Sequence, residues 1–433
     1  MKKNKIKEYI RKNFQKINKN SKENKIFKEI RERSFEFLYK SKLYSLNKEN
    51  YKHTSILEKL NNQIKTSKQD NKNTEKIELK DINFEEKKNN EITIINGKFI
   101  KKYSKIKEKK NISILHLNKS YEEKKNIIEK YFGKQSDYRK DIFIALNNVL
   151  FKNGIFIEIK ENKKNKYPII INNITNDDKK KNISYIRIFI IIKKNSEADI
   201  VEISNTLNKN KAFSNLLTET IILENSNLNY YKIQNKVENL YQINNNQFYQ
   251  KKNSKLNVYT ITFNGIMIKN NLNIIIDDEK CKSNIYGLYF SKNKEHIDNQ
   301  TLVDHKKQNS ESNEIYKGII TDESKSIFKG KIYVRKGAKN TNAFQLNKNI
   351  LLSNKCSINT SPQLKIWNND VKCSHGVTTG KINEKQLFYL KSRGISEKNA
   401  YKILIKAFAS EIIEKIKIKS LNEYLKKSIE KYI

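Results

Sequence analysis

One segment near the C-terminus places a thiol and an imidazole two residues apart. In NNDVKCSHGVTTG (368–380), Cys373 and His375 flank a single serine, in a chain that has only 3 cysteines and 5 histidines. Side chains two residues apart point to the same side of an extended strand. In such a strand both groups face one site, and Gly376 permits a tight backbone beside them.

The residue types of this pair suit three roles. A cysteine and a histidine can act as a nucleophile and its base, as in hydrolases and transferases, if a third group orients the imidazole. They also offer soft ligands for zinc, copper or an iron–sulfur cluster. Two ligands are too few for a closed site, so others would come from elsewhere. The third role is structural: a small packed thiol and a histidine bonded to the backbone. The spacing alone leaves all three open.

The other cysteines and one further histidine have contexts that favour packing. Cys281, in DDEKCKSN, is expected in a loop, and Cys356 is expected in a strand. His305, in TLVDHKKQNSES, is expected to be a polar surface residue at a strand end. With 3 cysteines and no CxxC, the chain predicts neither a disulfide framework nor a zinc or thioredoxin motif, and a reducing cytoplasm fits this usage.

The charge balance is extreme. The chain has 88 Lys and Arg against 47 Asp and Glu, a formal net charge of +41. Such a charge suits a polyanion, meaning nucleic acid or an acidic membrane. The lysines are spread over the whole chain, however, beside abundant Asn and Ile, and these three residues share A/T-rich codons. Genome-wide base drift therefore explains the charge, and nucleic-acid binding remains the second hypothesis because no known binding module is recognised.

The first region, residues 1–91, is expected to be helical and then irregular. Phe27, Ile30 and Ser34 lie at helical spacing with charges between them. The stretch 60–90 is rich in Lys, Asn and Glu, which is typical of a linker. The N-terminus lacks an apolar signal core, and the longest apolar run, IRIFIIIKK, is too short to span a bilayer, so no membrane contact is expected.

The second region, residues 92–367, contains many short β-rich runs, such as ITIINGKFI, YIRIFIII and GKIYVR, separated by Asn, Gly, Asp and Ser. Helical patterns interrupt them only at 121–133 and 138–151. Strands at this cadence without crossover helices predict a mainly β body, either a sandwich, a barrel or a solenoid. The length of the region favours a parallel β-helix, because each coil of a solenoid packs only on its neighbours.

The third region, residues 368–433, is expected to be a C-terminal helical domain. Asn383 and Ser396 suit helix N-caps, and Gly394 suits the position just after a helix. A first short helix would have Leu387, Phe388 and Leu390 on its apolar side. The next has a stripe at four-residue steps, which predicts a buried face: Ala400, Leu404, Phe408, Ile412 and Ile416.

Several segments together resemble the SufB/SufD family of iron–sulfur cluster assembly scaffolds, and within it the SufD branch. Residues 316–353 are similar to the late coils of the family's β-helix, and residues 360–396, which contain the Cys373–His375 segment, to its C-terminal signature. FIALNNVLFKNGIFIEI (143–159) resembles the entry to the β-helix. NYKHTSI (50–56) is similar to the family's W-[KR]-Y-T stretch. SufB-like chains have HEA at His375-Gly376-Val377 and a cysteine at Asn347, which favours the SufD branch.

The resemblance implies a fold and a set of partners. The fold would be a right-handed parallel β-helix with helical regions at both ends. The chain would pair with SufB through the β-helices, and its C-terminal helices would dock SufC, an ABC-type ATPase. The charged face opposite the apolar stripe is a candidate docking surface. ATP hydrolysis would belong to SufC, since this chain has no GxxxxGK[ST] phosphate loop, and the chain itself would be a non-catalytic scaffold.

The resemblance also implies a role for the thiol–imidazole pair. His375 matches the histidine that the SufD branch uses in cluster assembly, and Cys373 matches the neighbouring cysteine. A transient iron–sulfur cluster would form at the SufB–SufD interface, where the partner supplies the missing ligands, and would pass to apo-proteins. A role for reduced flavin stays open.

Overall fold

The computed structural model describes residues 3–20, 23–43, 48–66, 89–176, 183–207 and 210–433. The chain is mainly β, with helices at both ends. The strands are β1 Asn90–Ile95, β2 Lys98–Phe99, β3 Ile112–His116, β4 Gly154–Ile159, β5 Ile169–Thr175, β6 Ile183–Ile192, β7 Glu197–Thr206, β8 Ala212–Ile222, β9 Asn227–Gln234, β10 Leu240–Gln250, β11 Lys255–Thr262, β12 Met267–Ile276, β13 Lys282–Ser291, β14 His296–His305, β15 Glu311–Ile320, β16 Lys325–Val334, β17 Thr341–Leu351, β18 Ser357–Ile366 and β19 Val371–Gly380.

The helices precede, interrupt once and follow this series of strands. A short 3₁₀ turn, Lys101–Tyr103, follows β2. The α-helices are α1 Lys3–Asn20, α2 Lys25–Lys40, α3 Lys48–Tyr51, α4 Ile56–Thr66, α5 Leu117–Glu123, α6 Lys125–Tyr131, α7 Ile142–Leu150, α8 Glu384–Ser392, α9 Glu397–Ile413 and α10 Lys419–Tyr432.

Successive strands alternate between two parallel sheets, so that the chain winds as a β-solenoid. The first sheet has the order β19-β17-β15-β13-β11-β9-β7-β5-β1-β2, and the second has the order β18-β16-β14-β12-β10-β8-β6-β4-β3. Each coil therefore contributes one strand to each sheet and stacks on the coil before it. This arrangement confirms the predicted β-helix over the sandwich and the barrel.

Alternate residues of each strand fill the inside of the solenoid. The inner cluster is dominated by isoleucine, for example Ile188, Ile200 and Ile274, each fully buried. The outer faces of both sheets are also apolar along much of their length, because helices cover them. Strands buried on both sides read as continuous β-branched runs, which is why IRIFIIIKK resembles a membrane segment in composition without the length of one.

Asparagines in the left-handed region shape the turns between strands. Asn162, Asn195, Asn225 and Asn253 have φ between 54° and 57°, and from Asn195 onward each side-chain amide donates to the corresponding asparagine of the preceding coil at 2.8–3.1 Å. Asparagine tolerates this conformation better than other residues that have a Cβ. The ladder therefore both permits the turn and ties neighbouring coils together.

A second asparagine ladder runs along a strand face of the first sheet. Asn257 donates to Asn229, Asn284 to Asn257 and Asn313 to Asn284, at separations of 28, 27 and 29 residues. These spacings are the length of a coil. Asparagine content that composition alone assigns to base drift thus includes a structural repeat that the sequence interpretation did not find.

The N-terminal helices cover the outer face of the second sheet. Phe27 and Leu38 of α2 belong to one buried cluster with Phe189 and Phe213 of the sheet. Hydrogen bonds also orient this helical region on the solenoid: Thr54 Oγ1 donates to Asp298 Oδ2 of β14 at 2.6 Å. The Tyr51 hydroxyl donates to Asp141 Oδ2 at 2.7 Å. The NYKHTSI segment therefore fastens the helical region to the solenoid.

The C-terminal helices α9 and α10 cover the outer face of the first sheet. Ile405, Ala409 and Ile412 are buried in one cluster with Leu421 and Leu425 and with the sheet. Two hydrogen bonds fix the position of the helices: Lys317 Nζ donates to the Phe408 carbonyl at 2.9 Å and the Tyr259 hydroxyl to the Lys415 carbonyl at 2.8 Å. The predicted stripe is thus correct at Ala400, Ile412 and Ile416, whereas Leu404 and Phe408 are only partly buried.

Several predictions need correction. His305 is the last residue of β14, as expected, but it is fully buried, with Nε2 2.9 Å from Ser312 Oγ, because its alternation points it into the solenoid. Cys356 lies just before β18, not in a strand. Residues 60–66 of the expected linker belong to α4, and 67–88 lie outside the described residues. The expected boundary at 367/368 precedes β19, which is part of the solenoid.

None of the helices in the described ranges is both long enough and apolar enough to cross a lipid bilayer.

The left-handed asparagines lead to a stability prediction. Replacing Asn225 (φ 57°) with alanine strains the turn and removes two ladder hydrogen bonds. We expect a loss of about 2 kcal/mol in the free energy of unfolding. Asn225→Gly relieves the strain and should lose about half as much. Urea unfolding of both variants measures the difference, and equal losses would show that φ is not the constraint.

Candidate functional site

The last coil of the solenoid is uncovered. β18 and β19 are terminal in their sheets, and no other strand of the described chain pairs with their free edges. Both strands are ten residues long, and in contrast to the earlier strands nearly all of their residues are exposed or half-buried. An edge of this length presents a row of unsatisfied backbone donors and acceptors, which is a template for pairing with another chain.

The first coil is closed in a different way. There the two sheets end in β2 and β3, which pair antiparallel with β1 and β4. The chain before β4 also packs helices α5 and α6 beside this end, with Leu117 and Ile128 buried. The two ends of the solenoid are therefore unequal, and only the C-terminal one leaves long parallel edges free among the described residues.

Cys373 and His375 lie on this last coil, in β19, and face its inside. Their partners in β17 are Ala343 and Gln345, which are 0% and 2% exposed. Between them, Ser374 pairs with Phe344, which is 44% exposed on the outside. Side chains in register on parallel strands point the same way. The thiol and imidazole therefore share the inner side of the open coil, as the i, i+2 spacing predicts.

The Cys373 thiol packs against an apolar wall. It contacts the cluster formed by Ile332, Val334, Ala338 and Ala343, at the mouth of the solenoid. Burial raises the pKa of the Cys373 thiol above its ordinary value, and a backbone hydrogen bond with Ala343 offsets this only in part. The thiol form is therefore favoured at neutral pH, which does not suit an activated nucleophile in the isolated chain.

His375 is exposed, on the uncovered side of β19. No hydrogen bond joins it to the Cys373 thiol among the described residues, and no group of three or more His, Cys, Asp or Glu side chains there is placed to hold a metal ion. The pair by itself supplies two soft ligands at an open edge. A metal or cluster bound there would need further ligands besides these two side chains.

Beneath the pair, the solenoid interior is polar, which the sequence interpretation missed. Gln345 and Asn347 of β17 are buried directly below His375 and Val377. One coil further in, Glu314 of β15 is in register with Gln345 and accepts a hydrogen bond from it. The only sequence signal for this stacking is that Glu314, Gln345 and His375 are each about one coil apart. Without the coil boundaries, that spacing does not show which residues of successive strands are in register.

The other cysteines lie away from this site. The Cys281 thiol is fully buried 3.1 Å from the Lys251 carbonyl, and burial raises its pKa. The Cys356 thiol is 3.1 Å from the Ser353 carbonyl and 3.3 Å from the Ile320 carbonyl. Both thiols fill space between coils. The structure thus gives Cys281 and Cys356 packing roles, and brings together only Cys373 and His375.

Aromatic and cationic side chains surround the same open end. Trp367 directly follows β18 and is 45% exposed. The Arg335 guanidinium lies 4.9 Å from the Trp367 ring and 5.1 Å from the Tyr333 ring, and it also bonds Asp304. Tryptophan, tyrosine and arginine are the residues most enriched at the energetic centres of protein interfaces.

A second exposed apolar surface lies on α8 and α9. Phe388 and Tyr389 of α8 are 73% and 57% exposed, and Tyr401 and Ile403 of α9 are also exposed. Tyr389, Leu390 and Ile403 line a shallow groove of about 370 Å³ between the two helices. We call these exposed residues the α8–α9 surface. The predicted short helix is confirmed as α8, and on its apolar side Leu387 and Leu390 are half-buried while Phe388 is exposed.

Fold and site together define a class of protein: a β-solenoid with an open last coil that carries a thiol and an imidazole. Two family models cover most of the chain. Residues 173–408 match the SUF system FeS cluster assembly SufBD core domain, and residues 2–171 match the SufBD protein N-terminal region. The chain belongs to the SufBD family of iron–sulfur cluster assembly proteins.

Individual relatives are similar over about two thirds of the chain. An iron–sulfur cluster assembly SufBD family protein of Synechocystis is 27% identical over 307 residues, which are 69% of this chain and 68% of the relative. Iron–sulfur cluster assembly protein SufD of Escherichia coli is 26% identical over 285 residues, 65% of this chain and 67% of that protein. The expected family is thereby confirmed.

The environment of Cys373 leads to a prediction for its reactivity. Because burial raises the pKa of this thiol, its alkylation by iodoacetamide in the isolated chain should be slow at pH 7 and still accelerate above pH 9. Cys281 and Cys356, which are buried, should react only on unfolding. Mass spectrometry of the labelled peptides measures all three. A Cys373 rate that reaches its plateau below pH 8 would contradict the packed-thiol environment.

Proposed function

We propose that this chain is the SufD-type subunit of an iron–sulfur cluster assembly complex and that it acts as a scaffold paired with a SufB-type chain. One observation carries the proposal: the last coil is open, and Cys373 and His375 face its inner side beside two free strand edges. An incomplete ligand set at an unpaired edge is suited to a site that a second subunit completes.

Pairing would extend the sheets of this chain with strands of the partner. Strand addition to β18 and β19 satisfies backbone groups that the coil leaves free. It also covers exposed apolar side chains at the rim, among them Ile366 and Trp367. The partner thiolate would complete a site with Cys373 and His375 in which a cluster is held loosely and passed to apo-proteins. Few protein ligands favour release of the cluster, which is the cargo of this scaffold.

The position of Asn347 supports the SufD branch. SufB-like chains have a cysteine at the matching position, inside the coil below the open end. Here Asn347 is fully buried, and its amide nitrogen lies 3.2 Å from the Tyr316 carbonyl. An amide cannot carry persulfide sulfur, so the sulfur-accepting thiol would belong to the partner. His375 would then be this chain's main contribution, with Cys373 beside it.

The α8–α9 surface is the better candidate for docking the SufC ATPase. We expected the charged face opposite the apolar stripe to serve, but the contacts of α9 favour a different surface. One side of α9 is buried against the first sheet, while Tyr401 and Ile403 are exposed next to Phe388 and Tyr389 of α8. An exposed apolar patch rimmed by polar residues is typical of an interaction site. Since this chain has no phosphate loop, ATP hydrolysis would take place in that partner, in the cytoplasm where free thiols persist.

The surface charge does not favour the polyanion hypothesis. Many lysines on the solenoid form ion pairs with glutamates about one coil away, such as Lys194 with Glu224, Lys252 with Glu279 and Lys282 with Glu311. Because each of these lysines is paired with a glutamate, positive and negative charges alternate along the solenoid surface. A concentrated basic stripe, which nucleic-acid binding requires, is not what these contacts build.

The proposal predicts the composition and activity of a complex. Co-expression with the SufB-like and SufC-like chains of the same organism should give one assembly that contains all three, weighed by native mass spectrometry. His375→Ala should assemble equally well but lose most cluster absorbance after reconstitution with iron and sulfide, because the imidazole is a ligand and not an interface contact.

Ser374→Ala is the matched control, since Ser374 lies between the pair but on the outer side of β19. It should keep both assembly and cluster. Failure of the wild-type chain to enter any complex would refute the proposal, whereas unchanged cluster yield in His375→Ala would remove only the role of His375.

The α8–α9 surface predicts a separable binding defect. Phe388→Ala removes a side chain that is 73% exposed and packs little within the chain, so stability should not change. Binding of the SufC-like chain should weaken about 30-fold if Phe388 is a central contact worth about 2 kcal/mol. Isothermal titration calorimetry measures the affinity. Tyr39→Ala, at an exposed aromatic of α2, is the control, and equal affinities for both variants would place docking elsewhere.

A further inference from the structure

A file of three polar side chains runs from the interior of the solenoid to the open coil. Glu314 of β15 pairs in register with Gln345 of β17, and Gln345 pairs with His375 of β19. All three point inward. In the coils below, the same position is occupied by Ile285 and Val258, which are buried and apolar. The polar file therefore begins two coils below the site and ends at His375.

The Gln345 side chain is fixed by one hydrogen bond, and only the nitrogen of its amide has a partner. Its Nε2 donates to Glu314 Oε2 at 2.7 Å. Its Oε1 is buried and has no hydrogen-bond partner among the described residues. The space for the amide is made by Gly330 of the opposite sheet, where a Cβ would lie 2.0 Å from Nε2. A buried amide oxygen without a donor is costly, so a donor is expected nearby.

The residue in register with Gln345 on the last coil is His375, which has a donor to offer. A neutral imidazole carries one N–H and one lone pair, and the partner of the N–H decides which nitrogen is free to bind a metal. Histidine ligands generally donate their second nitrogen to a carbonyl or carboxylate of the protein. We propose that Gln345 and Glu314 are positioning residues for His375: Gln345 Oε1 accepts the imidazole N–H, and Glu314 fixes the direction of the Gln345 amide.

Glu314 suits this role because nothing else engages it as a charge. No salt bridge reaches it among the described residues, and burial raises its pKa to about 7, against the hydrogen bond from Gln345 that lowers it. Once ionised, a carboxylate only accepts hydrogen bonds. It therefore binds the nitrogen end of the Gln345 amide and turns the oxygen end toward the open coil.

The consequence is that the free imidazole nitrogen of His375 points out of the solenoid, toward whatever pairs with the last coil. The biological purpose of this arrangement rests on the proposed function. The register and the unpartnered Gln345 oxygen that support it belong to the single chain. The positioning role also gives a reason for the polar file. An apolar residue at position 314 would pack without the cost of a buried carboxyl group.

The first test needs no partner. The full chain, labelled with ¹⁵N and ¹³C in histidine, is compared by NMR at pH 8 with Gln345→Met, and His375 signals are assigned by their loss in His375→Ala. In the wild type we expect one imidazole tautomer and a restrained ring. Gln345→Met should give a tautomer mixture and a ring order parameter below about 0.6. Identical tautomer ratios and ring mobility in both proteins would overturn the proposal.

Two further variants separate positioning from packing. Asn347→Leu changes a buried amide two residues further along the same strand, and His375 should keep its wild-type signals. Glu314→Gln preserves the size of the side chain, so it can be used in the same measurement if Gln345→Met does not fold. Its amide can also donate, so the Gln345 orientation is no longer fixed and the tautomers should mix. Wild-type His375 signals in Glu314→Gln would refute the role of Glu314.

The second test uses the assembled complex. Gln345→Met should enter the complex normally and lower the rate of cluster formation about tenfold, as loss of a ligand's hydrogen-bond partner commonly does. Failure of the wild-type complex to form clusters concerns the proposed function alone. A Gln345→Met complex with the wild-type rate contradicts the positioning role even where the proposed function holds.

Discussion

Parallel backbone pairing between coils is the constraint on which the rest of this structure depends. Each coil satisfies its hydrogen bonds through the coil before and the coil after it, so a solenoid always has a last coil with nothing to pair. At the first coil the chain solves this with the antiparallel strands β2 and β3. At the last coil it leaves β18 and β19 bare. The candidate site residues Cys373 and His375 lie on this last coil. The open coil and the incomplete ligand set therefore have one structural origin.

The same constraint decides which way the thiol and the imidazole point. Register with Ala343 and Gln345 turns Cys373 and His375 inward, so that in a longer solenoid they would be core residues. Their partial exposure comes only from the absence of a next coil. This explains why Cys373 still has a packed environment and a raised pKa, although it is close to solvent. It also places Gln345 and Glu314 in register beneath an exposed histidine.

Sequence patterns could predict the elements but not their register. The β-branched runs YIRIFIII and GKIYVR identify strands, and the spacing of Cys373 and His375 identifies a shared face, as observed. The burial of His305 and the stacking of Glu314 below Gln345 depend on which residues of successive coils meet. That correspondence is set by turns whose lengths vary, as the separations of 27, 28 and 29 along one asparagine ladder show. The left-handed asparagines that mark these turns are hidden because asparagine is abundant throughout the chain.

Codon bias and the needs of the fold therefore both explain the high asparagine and lysine content of this protein. Asparagine fits the left-handed turns better than most residues, and its amides bond coil to coil. Lysine paired with glutamate on the next coil costs little and keeps the solenoid surface polar. A chain under pressure toward A/T-rich codons can wind the solenoid with the residues that those codons supply: isoleucine inside, asparagine at the turns and lysine outside. Other polar residues also lie inside the coils, such as the buried ion pair of Lys232 with Glu202. The column of Glu314, Gln345 and His375 differs from them because it ends at the open coil.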